Sequence, residues 1–234
     1  MNSNLNFATA CRETLPTIFG YIGIAATFGI IGRTLGFTFW QVLLTSALVY
    51  AGSAQLTALN MIAAGNPVLS VVIATFLVNS RIILMSTTIA SYFQKDSLSK
   101  NICLGSFLTD ESFALGMNKI NYTHGRLSFQ WLNTTNILSY LTWVGATAVG
   151  AVIGTAVKNP QKFGLDFAIV AMFLGLLYLQ VISDQQLNRF LQICVIGGTM
   201  VLTYLSLIIL PANLVIIGVT IGGCTLGVWL KHVL

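Results

Sequence analysis

The most informative segment of the chain is Val68–Phe93, which reads VLSVVIATFLVNSRIILMSTTIASYF. It carries one charged side chain, Arg81, and it is longer than the roughly 20 apolar residues that a membrane helix needs. Its apolar side chains do not alternate with polar ones, as they would in a strand of a membrane barrel. The segment therefore predicts a transmembrane helix with a cation near its middle.

The rest of the chain has the same character. Of its 234 residues, 56% are hydrophobic and only 7% are charged, whereas soluble domains have about 25% charged residues. Residues 34–80, 127–157 and 190–230 contain no charged side chain at all. A water-soluble fold cannot cover its surface with so few charges. We therefore expect an all-α, polytopic membrane helix bundle that forms one permease domain, residues 1–234.

Glycine, proline and asparagine breaks divide the chain into about seven to eight hydrophobic segments, including re-entrant or broken helices. The segments expected to cross the membrane are residues 15–32, Val68–Phe93, 129–157, 167–182, 190–209 and 212–230. Pro211 separates the last two as a helical hairpin. Rows of small residues four apart predict close helix packing; they are Ala146, Gly150 and Gly154, Gly218 with Gly222, and Gly223 with Gly227.

Two segments fit a full crossing poorly. Residues 102–117 are short and contain Asp110 and Glu111, and residues 41–64 end at the turn signal Gly65-Asn66-Pro67. If residues 41–64 enter the membrane and return, most basic residues fall on one side, as the positive-inside rule requires. The cytoplasmic set is then Arg12, Lys95, Lys100, Lys119, Arg126, Arg189 and Lys231, and the outer set is Arg33, Lys158 and Lys162. This arrangement predicts that both termini are cytoplasmic.

Arg81 is the first candidate functional residue, with Asn79 close by. An arginine at mid-bilayer costs about 2.5 to 3.5 kcal/mol on insertion scales, so its side chain must face protein or a water-filled cavity. Two interpretations stay open. Arg81 forms a structural ion pair with Asp110 or Glu111, or it binds the carboxylate of a substrate.

Asp110 and Glu111 are the next candidates, because adjacent carboxylates in an apolar segment disfavour each other's ionisation. Neighbours on a helix point about 100° apart, so one acid can pair with Arg81 while the other faces a pore or holds a coupling proton. The alternative is that both acids are solvated at a segment end in the headgroup region.

Small residues and an amide interrupt another apolar region at Tyr50-Ala51-Gly52-Ser53-Ala54-Gln55. Broken helices in transporters expose backbone N–H and C=O groups that bind substrates and ions near mid-membrane. Gly52, Ser53 and Gln55 are therefore candidate binding residues. Packing at a helix crossing explains the same composition nearly as well.

Sequence signatures of other functions are missing. There is no GxxxxGK[ST], HExxH or GxSxG motif and no cysteine or histidine spacing typical of zinc, so we expect no enzyme activity, cofactor or metal. The formal net charge of +5 comes from basic residues that lie mostly between apolar runs. It therefore indicates membrane topology rather than nucleic-acid binding.

Four elements occur together and in order: Leu35-Gly36-Phe37, Ala51-Gly52-Ser53-Ala54-Gln55, Val78-Asn79-Ser80-Arg81 and Thr109-Asp110-Glu111-Ser112-Phe113-Ala114. In these motifs the chain resembles the AzlC family of bacterial branched-chain amino acid permeases. The resemblance implies a multi-pass protein of the bacterial plasma membrane that exports leucine, valine and isoleucine as a secondary carrier, together with a small AzlD-like membrane subunit. The family commonly carries a histidine after the arginine, where this chain has Ile82, which puts a proton relay at that position in doubt.

The chemistry of a zwitterionic amino acid is compatible with these candidates. Arg81 or the break at Gly52 offers a site for the carboxylate, and Asp110 or Glu111 offers one for the ammonium group. The alternative function is a channel or a non-transporting membrane scaffold. A scaffold is expected to tolerate Arg81→Met, whereas a carrier is expected to lose transport.

Overall fold

The structure is a computed structural model that describes residues 1, 3–156, 174–175, 177–178, 181–182, 187–209 and 212–233. These residues form helices and connecting turns, and no strand occurs among them. The chain divides into two compact units, Met1–Leu176 and Leu177–Leu234. The span expected at residues 167–182 lies largely outside the described residues, and the single permease domain stays a prediction.

In the first unit, the α-helices with described ranges are α1 (Phe7–Thr34), α2 (Phe39–Val49), α3 (Gly52–Ala63), α4 (Val68–Ala90), α5 (Leu98–Ser106), α6 (Asp110–Tyr122) and α7 (Phe129–Ile153). The second unit contains α8 (Arg189–Ile209) and α9 (Ala212–Val233). Among the described residues, four helices are long and apolar enough to cross a membrane: α1, α4 with the turn that follows it, α7 and α8. The prediction of an all-α membrane helix bundle is confirmed.

Helix α1 begins at Phe7, earlier than the predicted start at Leu15. Asn6 explains the difference, because its side-chain oxygen accepts a hydrogen bond from the backbone N–H of Thr9 at 3.0 Å and so caps the helix. The polar residues between Phe7 and Leu15 are therefore helical although they lack the apolar pattern of a span.

Helices α1 and α7 pack side by side and run parallel. Near their first turns the Oγ1 atoms of Thr14 and Thr135 are 3.2 Å apart, and further along the rings of Tyr21 and Trp143 are 5.0 Å apart. Close to their ends the backbones touch, since a Cβ placed on Gly150 would lie 2.1 Å from the carbonyl oxygen of Ala26. The predicted close packing at Gly150 is confirmed.

Helices α2 and α3 form a pair that folds back on itself. Val42, early in α2, and Leu59, late in α3, both lie next to Gly32 of α1. A Cβ added to Gly32 would be 2.7 Å from a methyl group of Val42 and 3.3 Å from a methyl group of Leu59. Both outer ends of the pair therefore lie at the C-terminal end of α1. The turn between the two helices, at Tyr50, packs against Trp143 in a buried cluster. This is the geometry that the re-entrant interpretation of residues 41–64 predicts.

Helices α5 and α6 form a second such pair, which enters from the other end of α1. Its outer end lies where Lys119 of α6 contacts Glu13 of α1, with 2.7 Å between Nζ and Oε2. Its inner end lies where the ring of Phe107 is 5.0 Å from that of Tyr140 and Thr109 is 2.9 Å from the hydroxyl of Tyr21. The chain breaks before Asp110, where α6 starts, so residues 102–117 form a broken, returning segment rather than a full crossing.

The two pairs thus enter from opposite ends of the first unit, and their inner ends meet. Each follows a long helix, α1 before α2–α3 and α4 before α5–α6. Inverted repeats with broken helices of this kind recur in secondary transporters, where the breaks form the binding site near the bilayer midplane. We therefore expect the binding site at the two helix breaks, Tyr50–Ala51 and Phe107–Thr109.

In the second unit, the two helices with described ranges, α8 and α9, run antiparallel. A Cβ on Gly198 of α8 would be 3.0 Å from Leu226 of α9, and a Cβ on Gly222 of α9 would be 2.5 Å from Leu202 of α8. A Cβ on Gly223 would be 3.2 Å from the hydroxyl of Thr199. These contacts confirm the expected hairpin and the packing role of two of its predicted small residues, Gly222 and Gly223.

The returning path of α2–α3 predicts which side of the membrane the α3–α4 turn faces. In a variant whose four native cysteines are replaced by serine, Asn66→Cys should react from outside the cell with a thiol reagent that does not cross membranes. Gln94→Cys, in the exposed turn at the other end of α4, is the matched control and should react only from the cytoplasm. Reaction of Asn66→Cys from the cytoplasm would contradict the returning path.

Candidate functional site

A small cavity of about 30 Å³ lies where the two helix pairs meet. Tyr21, Arg81 and Trp143 reach it from near the middle of α1, α4 and α7. The residues that line it are Tyr21, Tyr50, Ala51, Gly52, Ser53, Arg81, Ile82, Thr109, Asp110, Glu111 and Trp143. Five of the predicted site residues therefore share one cavity: Gly52, Ser53, Arg81, Asp110 and Glu111.

Arg81 joins the inner ends of both pairs. Its Nη2 is 2.7 Å from Oδ2 of Asp110 at the start of α6, and it donates a hydrogen bond of 3.2 Å to Oγ of Ser53 in the first turn of α3. Of the two acids that the sequence offered, the ion pair is with Asp110. Side-chain exposure is 39% for Arg81 and 21% for Asp110, so the pair is open to the space beside it.

Glu111 has a different environment from its neighbour. The hydroxyl of Tyr21 lies 2.5 Å from Oε2 of Glu111 and 2.9 Å from Oγ1 of Thr109. Thr109 also caps α6, because its Oγ1 accepts a hydrogen bond from the backbone N–H of Ser112. The interpretation that both acids are solvated at a headgroup-level end does not fit, since they face Tyr21 and Arg81 near the middle of spanning helices.

The break between α2 and α3 exposes a helix N-terminus to the cavity. Tyr50 ends α2 in the left-handed region with a φ of 42°, and Ala51 then starts α3 without a side-chain cap. The first N–H groups of α3 lack partners within the helix and carry the positive end of its dipole. The predicted interruption of this helix is present, and the start of α3 lines the cavity together with Arg81.

Two predicted residues do not line the cavity. Gln55 is fully buried, donates a hydrogen bond of 2.9 Å to the carbonyl oxygen of Thr45 and accepts one of 3.2 Å from Nε1 of Trp143. It holds α2, α3 and α7 together behind the site. Asn79 has a buried Oδ1 without a hydrogen bond in the described part of the chain, and it lies outside the cavity lining.

The sequence did not indicate the aromatic wall of the site. Tyr21 and Trp143 meet edge to face, and Tyr50 packs likewise against Tyr140 with 4.9 Å between ring centroids. The Tyr50 hydroxyl is buried and lacks a hydrogen bond of normal geometry among the described residues. An aromatic residue within a long apolar helix carries no signal that separates a lining side chain from a lipid-facing one.

The cavity therefore combines a guanidinium, two carboxylates, unpaired helix N–H groups and aromatic faces. This set can hold a small molecule that carries both charges. Among the described residues, no three His, Cys, Asp or Glu side chains are close enough to hold a metal ion. Broken helices that meet at a charged cavity inside a bundle of membrane helices are typical of membrane transport proteins.

Sequence comparison identifies the family. The profile of the AzlC protein family matches residues 16–157, which is more than half of the chain and includes every residue that lines the cavity. The chain belongs to the AzlC family. No solved structure matches it at a significant level.

Relatives in bacteria and archaea cover most of the chain. The branched-chain amino acid transport protein AzlC of Bacillus subtilis (strain 168) is 27% identical over 221 residues, 91% of this chain and 83% of that protein. The inner membrane protein YgaZ of Escherichia coli (strain K12) is 28% identical over 175 residues, 73% and 71% of the two chains. An uncharacterized membrane protein of Archaeoglobus fulgidus is 30% identical over 206 residues, 87% of each chain. These similarities support a role in membrane transport.

Proposed function

We propose that this chain is the large subunit of a secondary carrier that exports leucine, valine and isoleucine across the bacterial plasma membrane. The carrier works with a small AzlD-like subunit and uses an ion gradient. The observation that carries the proposal is the meeting of Arg81, Asp110, Glu111 and the uncapped start of α3 around one cavity. The name of the Bacillus subtilis relative supports the substrate class.

The carboxylate of the amino acid binds between Arg81 and the start of α3. Arg81 already donates to Ser53, so its guanidinium points at the end of the helix whose N–H groups are free. A helix N-terminus and an arginine both favour an anion, and a carboxylate has two oxygens to share between them. In the structure, Asp110 occupies the guanidinium with its own carboxylate. The substrate carboxylate therefore competes with Asp110 for Arg81.

The ammonium group binds on the acidic side of the cavity. Once the substrate carboxylate takes Arg81, the Asp110 carboxylate is released for a second cation, and the ammonium group is a suitable one. The faces of Tyr21, Tyr50 and Trp143 add a favourable environment for a cation close to these acids. The ion pair of the empty site is thus exchanged for two ion pairs with the substrate, and both interpretations of Arg81 hold in different states of one cycle.

The apolar side chain of the substrate packs on Ile82, Ala51 and the ring of Trp143. A methylene group in such a pocket changes binding by about 1 to 3 kcal/mol, so shape alone separates branched from unbranched side chains only moderately. Methionine is therefore expected to be a weaker substrate of the same site.

The distribution of charge supports cytoplasmic termini. Lys95, Lys100, Lys119 and Arg126 belong to the turns and helix ends at the N-terminal end of α1, and Arg33 belongs to its C-terminal end. The bias has the sign of the positive-inside rule when the N-terminal end faces the cytoplasm. The lateral face of α4 has exposed apolar side chains along much of its length, as a helix needs for contact with lipid or with a small membrane subunit.

Efflux of preloaded labelled leucine tests the proposal. Cells that lack their own exporters are given this chain, a small AzlD-like subunit, or both. Fast efflux that needs both proteins, and that valine and isoleucine share, is the expected result. If efflux of all three amino acids is no faster than from empty cells, branched-chain amino acids are not the substrates, and the channel or scaffold alternative is favoured.

A further inference from the structure

We propose that the hydroxyl of Tyr50 binds the ammonium group of the amino acid, as a third acceptor beside the carboxylates of Asp110 and Glu111. This inference rests on the proposed function and adds a binding residue to the charged ones. It also assigns a selectivity, because such a site prefers a primary ammonium group to one that carries a methyl group on the nitrogen. Its basis is the position of one side chain and its unused capacity for hydrogen bonding.

The Tyr50 hydroxyl is a buried polar group on the wall of the cavity. The residue is 8% exposed and lines the cavity, yet its Oη makes no hydrogen bond of normal geometry within the described part of the chain. Leaving such a group unpaired costs free energy, and native proteins rarely do so without a functional reason. A buried hydroxyl without a partner in a binding cavity is therefore available to a bound molecule.

The backbone at Tyr50 points in the same direction. Its φ of 42° lies in the left-handed region, which glycine adopts freely and a bulky residue rarely adopts. The other described non-glycine residue with a positive φ is His124, which lies in an exposed turn beside Gly125. Tyr50 is instead buried at a helix break. Backbone strain of this kind concentrates at binding sites, where a particular side chain has to be held in one place.

The side chain of Tyr50 lies on the acidic side of the cavity. Its ring packs edge to face on Tyr140, with 4.9 Å between the centroids, and Tyr140 packs in the same way on Phe107 at the inner end of the α5–α6 pair. The ionisable groups that lie close enough to act on its hydroxyl include Glu111 and Tyr21. Tyr50 thus extends from the α2–α3 break towards the start of α6, where the ammonium group of the substrate binds.

The hydrogen-bonding needs of an ammonium group explain the use of a third acceptor. The group has three N–H donors, which point in different directions. Asp110 and Glu111 both belong to the first turn of α6, and Glu111 already accepts a hydrogen bond from the hydroxyl of Tyr21. Tyr50 approaches from the other helix pair, and a phenol oxygen accepts hydrogen bonds as well as donating them. The three side chains together match the three donors.

This arrangement predicts how the site treats a methylated nitrogen. N-methyl-leucine has two N–H donors instead of three, so its methyl group replaces one of the contacts. Hydrogen bonds to a carboxylate are roughly twice as strong as those to a neutral group, so the methyl group takes the place beside Tyr50. The wild type should therefore bind leucine more tightly than N-methyl-leucine by about tenfold, as expected for one lost hydrogen bond of a charged group.

The test is the substitution Tyr50→Phe, which keeps the ring and removes only the hydroxyl. Binding of labelled leucine to the purified complex is measured in competition with unlabelled leucine and with N-methyl-leucine. The affinity for leucine should fall by about tenfold, whereas the affinity for N-methyl-leucine should change by less than about twofold. The preference for leucine over its methylated analogue should thus disappear.

Tyr140→Phe is the matched control. The Tyr140 hydroxyl donates a hydrogen bond of 3.0 Å to the carbonyl oxygen of Ala47, and this residue lies outside the cavity lining. The control variant loses a hydrogen bond of the fold, so the midpoint of its thermal unfolding should fall. Its ratio of leucine affinity to N-methyl-leucine affinity should stay within about twofold of the wild-type ratio.

The other outcomes contradict the inference in distinguishable ways. If Tyr50→Phe weakens both ligands equally, the hydroxyl serves the fold or the carboxylate end of the substrate. If it weakens neither, the hydroxyl does not contact the substrate. In both cases the proposed function still stands. Failure of the wild-type complex to bind leucine at all would overturn the proposed function and this inference together.

Discussion

Replacing Arg81 with methionine is expected to reduce leucine efflux by about 100-fold or more while the protein still inserts into the membrane. Arg81 supplies the cation for the substrate carboxylate, and loss of one partner from a hydrogen-bonded charge pair that a bound ligand buries costs about 2 to 5 kcal/mol. The measurement is the rate of labelled leucine efflux at equal protein abundance in the membrane.

Lys100→Met is the matched control, since Lys100 also pairs with an acid, Asp96 at 3.1 Å, but on an exposed helix end. It should leave efflux within about twofold of the wild type, because exposed pairs contribute less than about 1 kcal/mol. A double variant, Arg81→Met with Asp110→Asn, separates structure from function. It also removes the acid that Arg81→Met leaves unpaired, and it should insert normally without restoring efflux. Efflux near the wild-type rate in either Arg81 variant would favour a structural ion pair.

Gly150→Ala is expected to destabilise the fold by about 3 kcal/mol or more, the upper range for overpacking a buried site. The added Cβ would lie 2.1 Å from the carbonyl oxygen of Ala26 and 2.6 Å from its Cα, both of them backbone atoms that cannot move aside alone. Helices α1 and α7 would have to separate, and both contribute side chains to the cavity. The measurement is the midpoint of thermal unfolding of the purified protein.

Gly145→Ala on the same helix is the control. A Cβ at that position has no atom within 4 Å, and alanine favours helix over glycine by about 1 kcal/mol. The control variant should therefore be as stable as the wild type or slightly more stable. Equal midpoints for the two variants would show that α1 and α7 do not pack as closely as the structure has them.

The sequence was sufficient for the parts of the molecule that a bilayer constrains. Charge-free runs predicted the long helices, because a charged side chain facing lipid is costly. The row containing Gly150 predicted close packing, since only small residues allow backbones to touch. Charge placement predicted the return of residues 41–64, and the pairing of Val42 and Leu59 around Gly32 agrees with it.

The sequence predicted those residues of the candidate site that are polar within an otherwise apolar segment. Arg81, Asp110 and Glu111 stand out in apolar surroundings, and Gly52 and Ser53 mark a break. Which acid pairs with Arg81 depends on the direction in which α6 starts, and that direction is set by the cap at Thr109 rather than by periodicity. A sequence pattern does not contain this information.

Tyr21, Trp143 and Gln55 show the other limit. Tyr21 and Trp143 are residues that a lipid-facing helix also contains, and only the parallel packing of α1 and α7 turns them toward the cavity. Gln55 was expected to bind ligand, yet its amide is used by Trp143 and Thr45. Contacts between residues far apart in the chain decide these roles. The sequence alone does not contain those contacts, so it does not reveal which side of a helix faces the site.

The central claim is that the cavity between the two helix breaks recognises both charges of a branched-chain amino acid. Binding of labelled leucine to the purified complex, in competition with unlabelled compounds, tests it most directly. Valine and isoleucine should displace leucine, whereas leucinol, which lacks the carboxylate, and isocaproate, which lacks the ammonium group, should not. Displacement by leucinol or isocaproate as strong as that by valine would contradict recognition by Arg81 and the acids of α6.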